Sequence, residues 1–193
     1  MNSNKELYKA AESGNLLEVQ RLLSSGSGVD INYAYELGNG NTPLYIAADM
    51  GRFQIVEFLL QNGANVNKAN NQGETPLFRM STKGNNELVE LLIQYRANVN
   101  QANNNGQTPI YMASANGHVQ IVELLLQRGA DVNLETNGQS SPYSIANRND
   151  HMKIVELLVE AGAIKKGGKR IKKRKSVKKR KSVKKKRRKT NKK

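Results

Sequence analysis

The side chains best suited to proton or metal chemistry are two histidines, His118 and His151, 33 positions apart. A general acid or base works within a converging set of groups, and a metal takes further ligands at coordinating spacing. A single pair of imidazoles without nearby carboxylates at coordinating spacing makes a poor metal site. Their equivalent positions in a repeating pattern favour a structural role over metal or general-base work. Glu57, Glu90, Glu123 and Glu156 recur at the same interval, each between a Val and a Leu or Phe. That setting puts them on the solvated side of a helix and not in a ladder of working acids. The absence of cysteine removes thiol nucleophiles, thiolate metal sites and disulfides together, and fits a reducing compartment. Gly167-Gly168-Lys169-Arg170 shares only its Gly-Lys pair with a phosphate-binding loop, whose upstream glycine and feeding strand are both missing. We expect no catalytic residue, no metal site, no cofactor and no enzymatic activity.

What positions these residues is a repeat. Thr108-Pro109 recurs as Thr75-Pro76, as Thr42-Pro43 and, weakened, as Ser141-Pro142, always 33 residues apart. A Val-Glu-Phe/Leu-Leu motif follows in the same register, starting at Val56, Val89, Val122 and Val155. Self-similarity at a fixed period means stacked supersecondary units. Within the unit from Gly106 to Asn133, the Thr108 hydroxyl can accept from an orphan backbone N–H, and Pro109 at the first helical position forfeits no needed donor. Gly117 stops that helix after about two turns. The second helix carries Ile121, Val122, Leu125 and Leu126 on one face and ends at Gly129, in the left-handed conformation that glycine adopts cheaply. Helices this short fall below the ~12–15 residues that are marginal alone, so neighbours must hold them. Asn- and Gly-rich stretches supply the turns between units.

The pattern Gly40, Thr42, Pro43, Leu44, Ala47, Ala48, Gly51, then Val56, Leu59, Leu60, then Gly63, Ala64, Asn67 resembles the ankyrin repeat. Agreement at several positions in each of four copies extends the resemblance over residues 4–163. It implies an all-α solenoid of paired short antiparallel helices with β-hairpin-like turns, in about five repeats at 4–36, 37–69, 70–102, 103–135 and 136–163. It also implies that contact positions fall on the fingers and inner helices, here Asn41, Asp49, Met50, Glu74, Thr82, Lys83, Gln107, Ala115 and Asn116. Where the family has histidine after Thr-Pro-Leu, this chain has Tyr45, Phe78, Tyr111 and Ser144, which predicts aromatic packing in place of a polar link between turns. The family's turn aspartate is Asn70 and Asn103, which lose the charge and still tolerate left-handed backbone.

A hydrophobic content of 37% suffices for a core, and a 5% aromatic share suits the small-residue packing of a helical stack. The net charge of +15 averages two regions of opposite sign. Of the 31 Lys and Arg, 20 lie between Ile164 and Lys193 with no acid among them, which leaves 11 against all 16 acids in residues 1–163, a net of −5. The chain therefore divides into a repeat domain, 1–163, and a basic tail, 164–193, that repels itself, buries nothing and is expected to be disordered. Within the tail, a six-residue repeat presents Lys172, Lys173, Arg174 and Lys175, then Lys178, Lys179, Arg180 and Lys181, then Lys184, Lys185, Lys186, Arg187, Arg188 and Lys189. These clusters resemble short nuclear-import signals and equally fit nucleic acid or another anionic surface. With no aromatic residue in the tail, contact with nucleic acid would be electrostatic and blind to sequence. The polar start has no apolar signal region, and no run of about 18 apolar residues could span a bilayer. A soluble intracellular protein is expected, nuclear rather than cytoplasmic.

Individual repeats depart from the pattern. Ser3 and Glu6 have the spacing of a capping box at the start of the first repeat, which lacks Thr-Pro. Gly26 to Asn41 is four residues longer than its equivalents, which predicts a longer finger around Tyr33-Ala34-Tyr35, either a contact point or a tolerated insertion. In the third repeat, Arg96 stands where others have Gly63 and Gly129, a substitution that costs about 1 kcal/mol in left-handed backbone. Arg79 replaces an apolar residue there and either snorkels to water or serves a partner carboxylate. The fifth repeat has Asp150 for glycine and the polar residues Ser144, Asn147, Arg148 and Lys153, as a terminal cap would. The function expected is that of a monomeric protein–protein interaction module, which binds a partner protein through hairpin tips and a concave inner-helix surface. Its tail would be the address read by an import receptor. The alternative is a nucleic-acid-associated protein whose tail does the binding.

Overall fold

The structure, a computed structural model, describes residues 3–25 and 28–163. The basic tail and its import-like clusters lie outside them. Ten α-helices follow one another in pairs among the described residues: α1 (Ser3–Ser13) with α2 (Leu16–Ser24), α3 (Pro43–Asp49) with α4 (Phe53–Gln61), α5 (Pro76–Lys83) with α6 (Asn86–Gln94), α7 (Pro109–Asn116) with α8 (Val119–Gln127), and α9 (Pro142–Arg148) with α10 (Met152–Glu160). The first helices of successive pairs pack side by side, α1 on α3 through α7 on α9, and more extensively than the second helices do.

Each pair gives the same residues to the core. Leu7, Leu44, Leu77, Ile110 and Tyr143 share one register position, Val19, Val56, Val89, Val122 and Val155 another, and Leu22, Leu59, Leu92, Leu125 and Leu158 a third; all fifteen are buried. Burying a Leu or Val stabilises by about 1.5–3 kcal/mol. Each pair packs on its neighbours as well as on itself, and helices of seven to eleven residues persist only in such a stack.

Local chemistry sets where the helices begin and end. Thr42, Thr75, Thr108 and Ser141 accept from the N–H of Tyr45, Phe78, Tyr111 and Ser144 at 3.1, 3.1, 3.3 and 3.2 Å, each with proline at the next position. The weakened Ser141-Pro142 start is compensated, because the Ser144 hydroxyl accepts in turn from the Ser141 N–H at 2.9 Å. Gly84 and Gly117 close α5 and α7 in left-handed backbone. Arg96 (φ 65°) and Asp150 (φ 60°) are held in that conformation without being glycine, as their register implied.

Two local expectations give way, and the tolerance of left-handed backbone at Asn70 and Asn103 goes unused. Ser3 is already the first helical residue of α1, so the cap position is residue 2, outside the described residues. The long first finger does not present Tyr35, which is buried with its ring 4.4 Å from that of Tyr8. Its extra length folds into a 3-10 turn, Glu36–Gly38, closed by Tyr35 N–H on Asn41 O at 3.0 Å, and Leu37 stands 85% exposed at the tip. Asn70 and Asn103 are not left-handed: each side-chain carbonyl accepts at 3.0 Å from the N–H groups two and four residues on, which closes the finger locally. The left-handed residues there are Gly73 and Gly106.

Candidate interaction surface

Arg52, Asn85, His118 and His151 occupy one register position, just before the second helix of each of the last four pairs. His118 Nε2 donates to Thr82 O and His151 Nε2 to Ala115 O, both at 3.1 Å; a carbonyl can only accept, so Nε2 carries the proton. Each ring lies on the glycine that ended the preceding first helix. A Cβ on Gly84 would come within 2.5 Å of the His118 ring, and one on Gly117 within 2.9 Å of His151. Arg52 does the same work in the first junction, with Nε 3.4 Å from Glu12 O and its side chain over Gly14. The histidines are thus latches between repeats. Among the described residues, no group of three His, Asp or Glu is placed to hold a metal ion.

Asn85 breaks the series. Its Oδ1 accepts from Leu88 N–H at 3.0 Å and caps α6, so it cannot also reach back to the second repeat. Nothing lies within 4 Å of a Cβ built on Gly51. The carbonyl that a latch would bond, Asp49 O, is taken instead by Lys83 Nζ at 2.5 Å. A cleft of about 520 Å³ opens there, lined among others by Asp49, Gly51, Lys83, Asn85 and Glu87.

Beside the cleft, the Asp49 carboxylate is shared by Arg79 Nε at 2.6 Å and Lys83 Nζ at 2.7 Å. The sequence leaves Arg79 either pointing to water or awaiting a partner. The end of α3 supplies a carboxylate next to it, so it pairs within the chain. Burial opposes ionisation of Asp49, but the hydrogen bonds from Arg79 and Lys83 outweigh it and hold the carboxyl below its ordinary range. The bond to Asp49 raises the Arg79 guanidinium in turn. Ion pairs this open to solvent contribute about 0–1 kcal/mol, so the cluster sets geometry more than stability.

The tyrosines that replace the family's histidine keep a polar link as well as packing. Tyr45 is buried and donates to Glu74 Oε2 at 2.8 Å, and Tyr111 donates to Ser140 Oγ at 3.4 Å, each acceptor lying on the next finger. Burial and the bond to Glu74 push the Tyr45 phenol up, so it remains a donor at physiological pH. Only Phe78 fits the expectation of packing alone.

The nine expected contact residues fall in two rows. Asn41, Glu74 and Gln107 form the finger bases, and their side chains accept from Asn70 Nδ2, Tyr45 OH and Asn103 Nδ2. Asp49 with Met50, Thr82 with Lys83, and Ala115 with Asn116 end α3, α5 and α7. Several of these groups are already engaged: the Thr82 hydroxyl donates back to Phe78 O and Asn116 Nδ2 to Met112 O. Met50 is 46% exposed and Asn116 is also exposed. Sequence reasoning missed the Asp49–Arg79–Lys83 cluster and the cleft. The one available signal was Asn85 standing in a position that two later repeats fill with histidine.

Paired short helices stacked at a 33-residue period, with capped Thr-Pro starts and back-reaching latches, define a helical-repeat solenoid. The family model described as ankyrin repeats (3 copies) matches residues 7–103, 63–136 and 80–169. The chain belongs to the ankyrin-repeat family, whose repeats are a protein–protein interaction module. No curated protein matches the chain. Among the described residues, no helix is long and apolar enough to cross a membrane.

Proposed function

We propose that the repeats bind a partner protein across the ends of α3, α5 and α7 and the adjoining finger bases, and that the tail is a nuclear-import address. The observation that carries the reading is the row Asp49-Met50, Thr82-Lys83 and Ala115-Asn116, which returns every 33 residues at one edge of the first-helix face. A flat partner surface meets equivalent points of three repeats there, and the inter-repeat bonds hold those points in place before binding, which lowers the entropy lost on association. The tail's short Lys/Arg clusters support the address reading, since a receptor groove reads individual basic residues.

The test is a pull-down with the full chain, with residues 1–163, and with full-chain Met50→Lys and Asn116→Lys. Proteins bound through the row are retained by residues 1–163 and lost from both substituted chains, whose circular dichroism is unchanged. Proteins that need the tail and vanish with nuclease overturn this in favour of nucleic-acid association. For the address, a fluorescent fusion should enter the nucleus and cease to do so without Lys172 to Lys189. An unchanged distribution would end that part of the proposal.

A further inference from the structure

At three junctions the space over the glycine that ends, or directly follows, a first helix is filled by a flat, nitrogen-bearing side chain: the guanidinium of Arg52 over Gly14, and the imidazoles of His118 over Gly84 and His151 over Gly117. In all three the nitrogen donates to a carbonyl of the previous repeat. The second-to-third junction has the same glycine in the same left-handed backbone, Gly51 at φ 68°, with its face uncovered because Asn85 caps α6. Lys83 of the adjoining repeat takes the Asp49 carbonyl but leaves the face of Gly51 open, so the shape of this cleft is that of a seat for a planar side chain.

The surroundings select a cation. Glu87 lines the cleft, and Asn86 is common to it and to a second groove of about 280 Å³ that carries Glu90 and Glu123. None of these three carboxylates is in an ion pair among the described residues. Lys83 and Arg79 share the one Asp49 carboxylate, which leaves a single net positive charge there against these three carboxylates. A basic strand with one arginine over Gly51 and lysines alongside would thus meet the unpaired acids of the cleft and the adjoining groove.

The chain itself carries such a strand. Residues 1–163 have a net charge of −5 and Ile164 to Lys193 carry 20 cations. From the last helix pair to the cleft is roughly 30 Å, three helix-to-helix steps at about 8–10 Å each. An extended chain covers about 3.3–3.6 Å per residue, so a tether from Ala163 spans that distance by Arg174 and with slack by Arg180. Those two arginines sit at the same place in the repeated Lys-Lys-Arg-Lys-Ser-Val. We propose that this repeated unit docks back on the cleft between the second and third repeats, with Arg174 or Arg180 over Gly51 in the place that His118 and His151 take at the later junctions. Tethering raises the effective concentration of the strand to about the millimolar range, so a weak contact is well populated. A tail so docked is withheld from an import receptor until something takes the cleft. This docking goes beyond the partner-binding reading, which survives its failure, because the row at Met50 and Asn116 does not depend on the tail.

The full chain can test it, since it has no cysteine and Ser176→Cys gives a single attachment point for a nitroxide. In nuclear magnetic resonance spectra, the spin label should broaden the amides of Asp49, Gly51 and Asn85 well beyond that of Gly117. Asn85→His, which installs the latch found before α8 and α10, should abolish that selective broadening. The pair Arg174→Lys and Arg180→Lys keeps the charge, removes the planar fork and lies outside the repeat domain, so it should weaken the broadening while circular dichroism stays unchanged. Equal broadening at Gly51 and Gly117 would mean bulk attraction and overturn the proposal. So would no broadening, or broadening that persists in Asn85→His or is indifferent to the lysine pair.

Discussion

Ser81 and Ser114 occupy the position held by Ala11 and Ala48 in the first two repeats, and all four are fully or almost fully buried. The two hydroxyls have no hydrogen-bond partner. A buried polar group left unsatisfied costs about 1–3 kcal/mol, and alanine adds up to about 0.5 kcal/mol of helix propensity over serine. Against this, removing the oxygen forfeits several contacts of about 0.1–0.2 kcal/mol each. Ser81→Ala and Ser114→Ala should therefore each stabilise by about 1 kcal/mol, and the double variant by about 2 kcal/mol if the effects add. For a domain of this size that is about 2–4 °C in Tm per substitution. The cleanest assay is urea unfolding, in which the midpoint should rise with no change in slope, because the surface exposed on unfolding is the same. The reverse change, Ala48→Ser, should cost a similar amount. A midpoint that falls on Ser→Ala would refute the reasoning and show that the hydroxyls bond a carbonyl one turn back in solution.

Arg96→Gly should stabilise by about 1 kcal/mol in a denaturant midpoint, since φ is 65° there; no gain would mean that the arginine side chain makes a compensating contact. Gly84→Ala and Gly51→Ala share the left-handed cost, but only the first drives a Cβ to 2.5 Å from the His118 ring. Gly84→Ala should lose about 1–3 kcal/mol more, and the excess should vanish in a His118→Ala background. Asp49→Asn tests the charge cluster. The folded-state pKa of Asp49 is lowered, so its contribution is present above the unfolded value of about 3.9 and lost as pH falls through the folded value. The Tm difference between the unsubstituted chain and the Asp49→Asn variant should thus hold steady from pH 7 to about pH 5 and shrink below about pH 4; a gap that widens on acidification would reverse the sign.

The stack was legible because its constraints act on single positions. A core Val, a capping Thr and a left-handed Gly each need one residue type at one register, and the register returns every 33 residues, so Val56, Thr75 and Gly117 announce themselves. The junction chemistry was not legible, because it is a choice between two satisfactory bonds. Asn85 can cap its own helix or reach back, and the outcome turns on side-chain length: an asparagine amide reaches the Leu88 N–H, whereas an imidazole reaches the carbonyl of the previous repeat. Arg79 was equally ambiguous, since its partner lies 30 residues away on another helix and nothing in the spacing pairs them. In a solenoid each repeat touches only its neighbours, so such a choice stays where it is made and does not disturb the rest of the stack. The second-to-third junction gave up a latch, gained a cap and a charge cluster, and kept its core. A change that leaves the core intact while opening a lined cleft is one that stability alone does not require, and that is the physical reason to look for function at Gly51 and Asp49 rather than at the histidines.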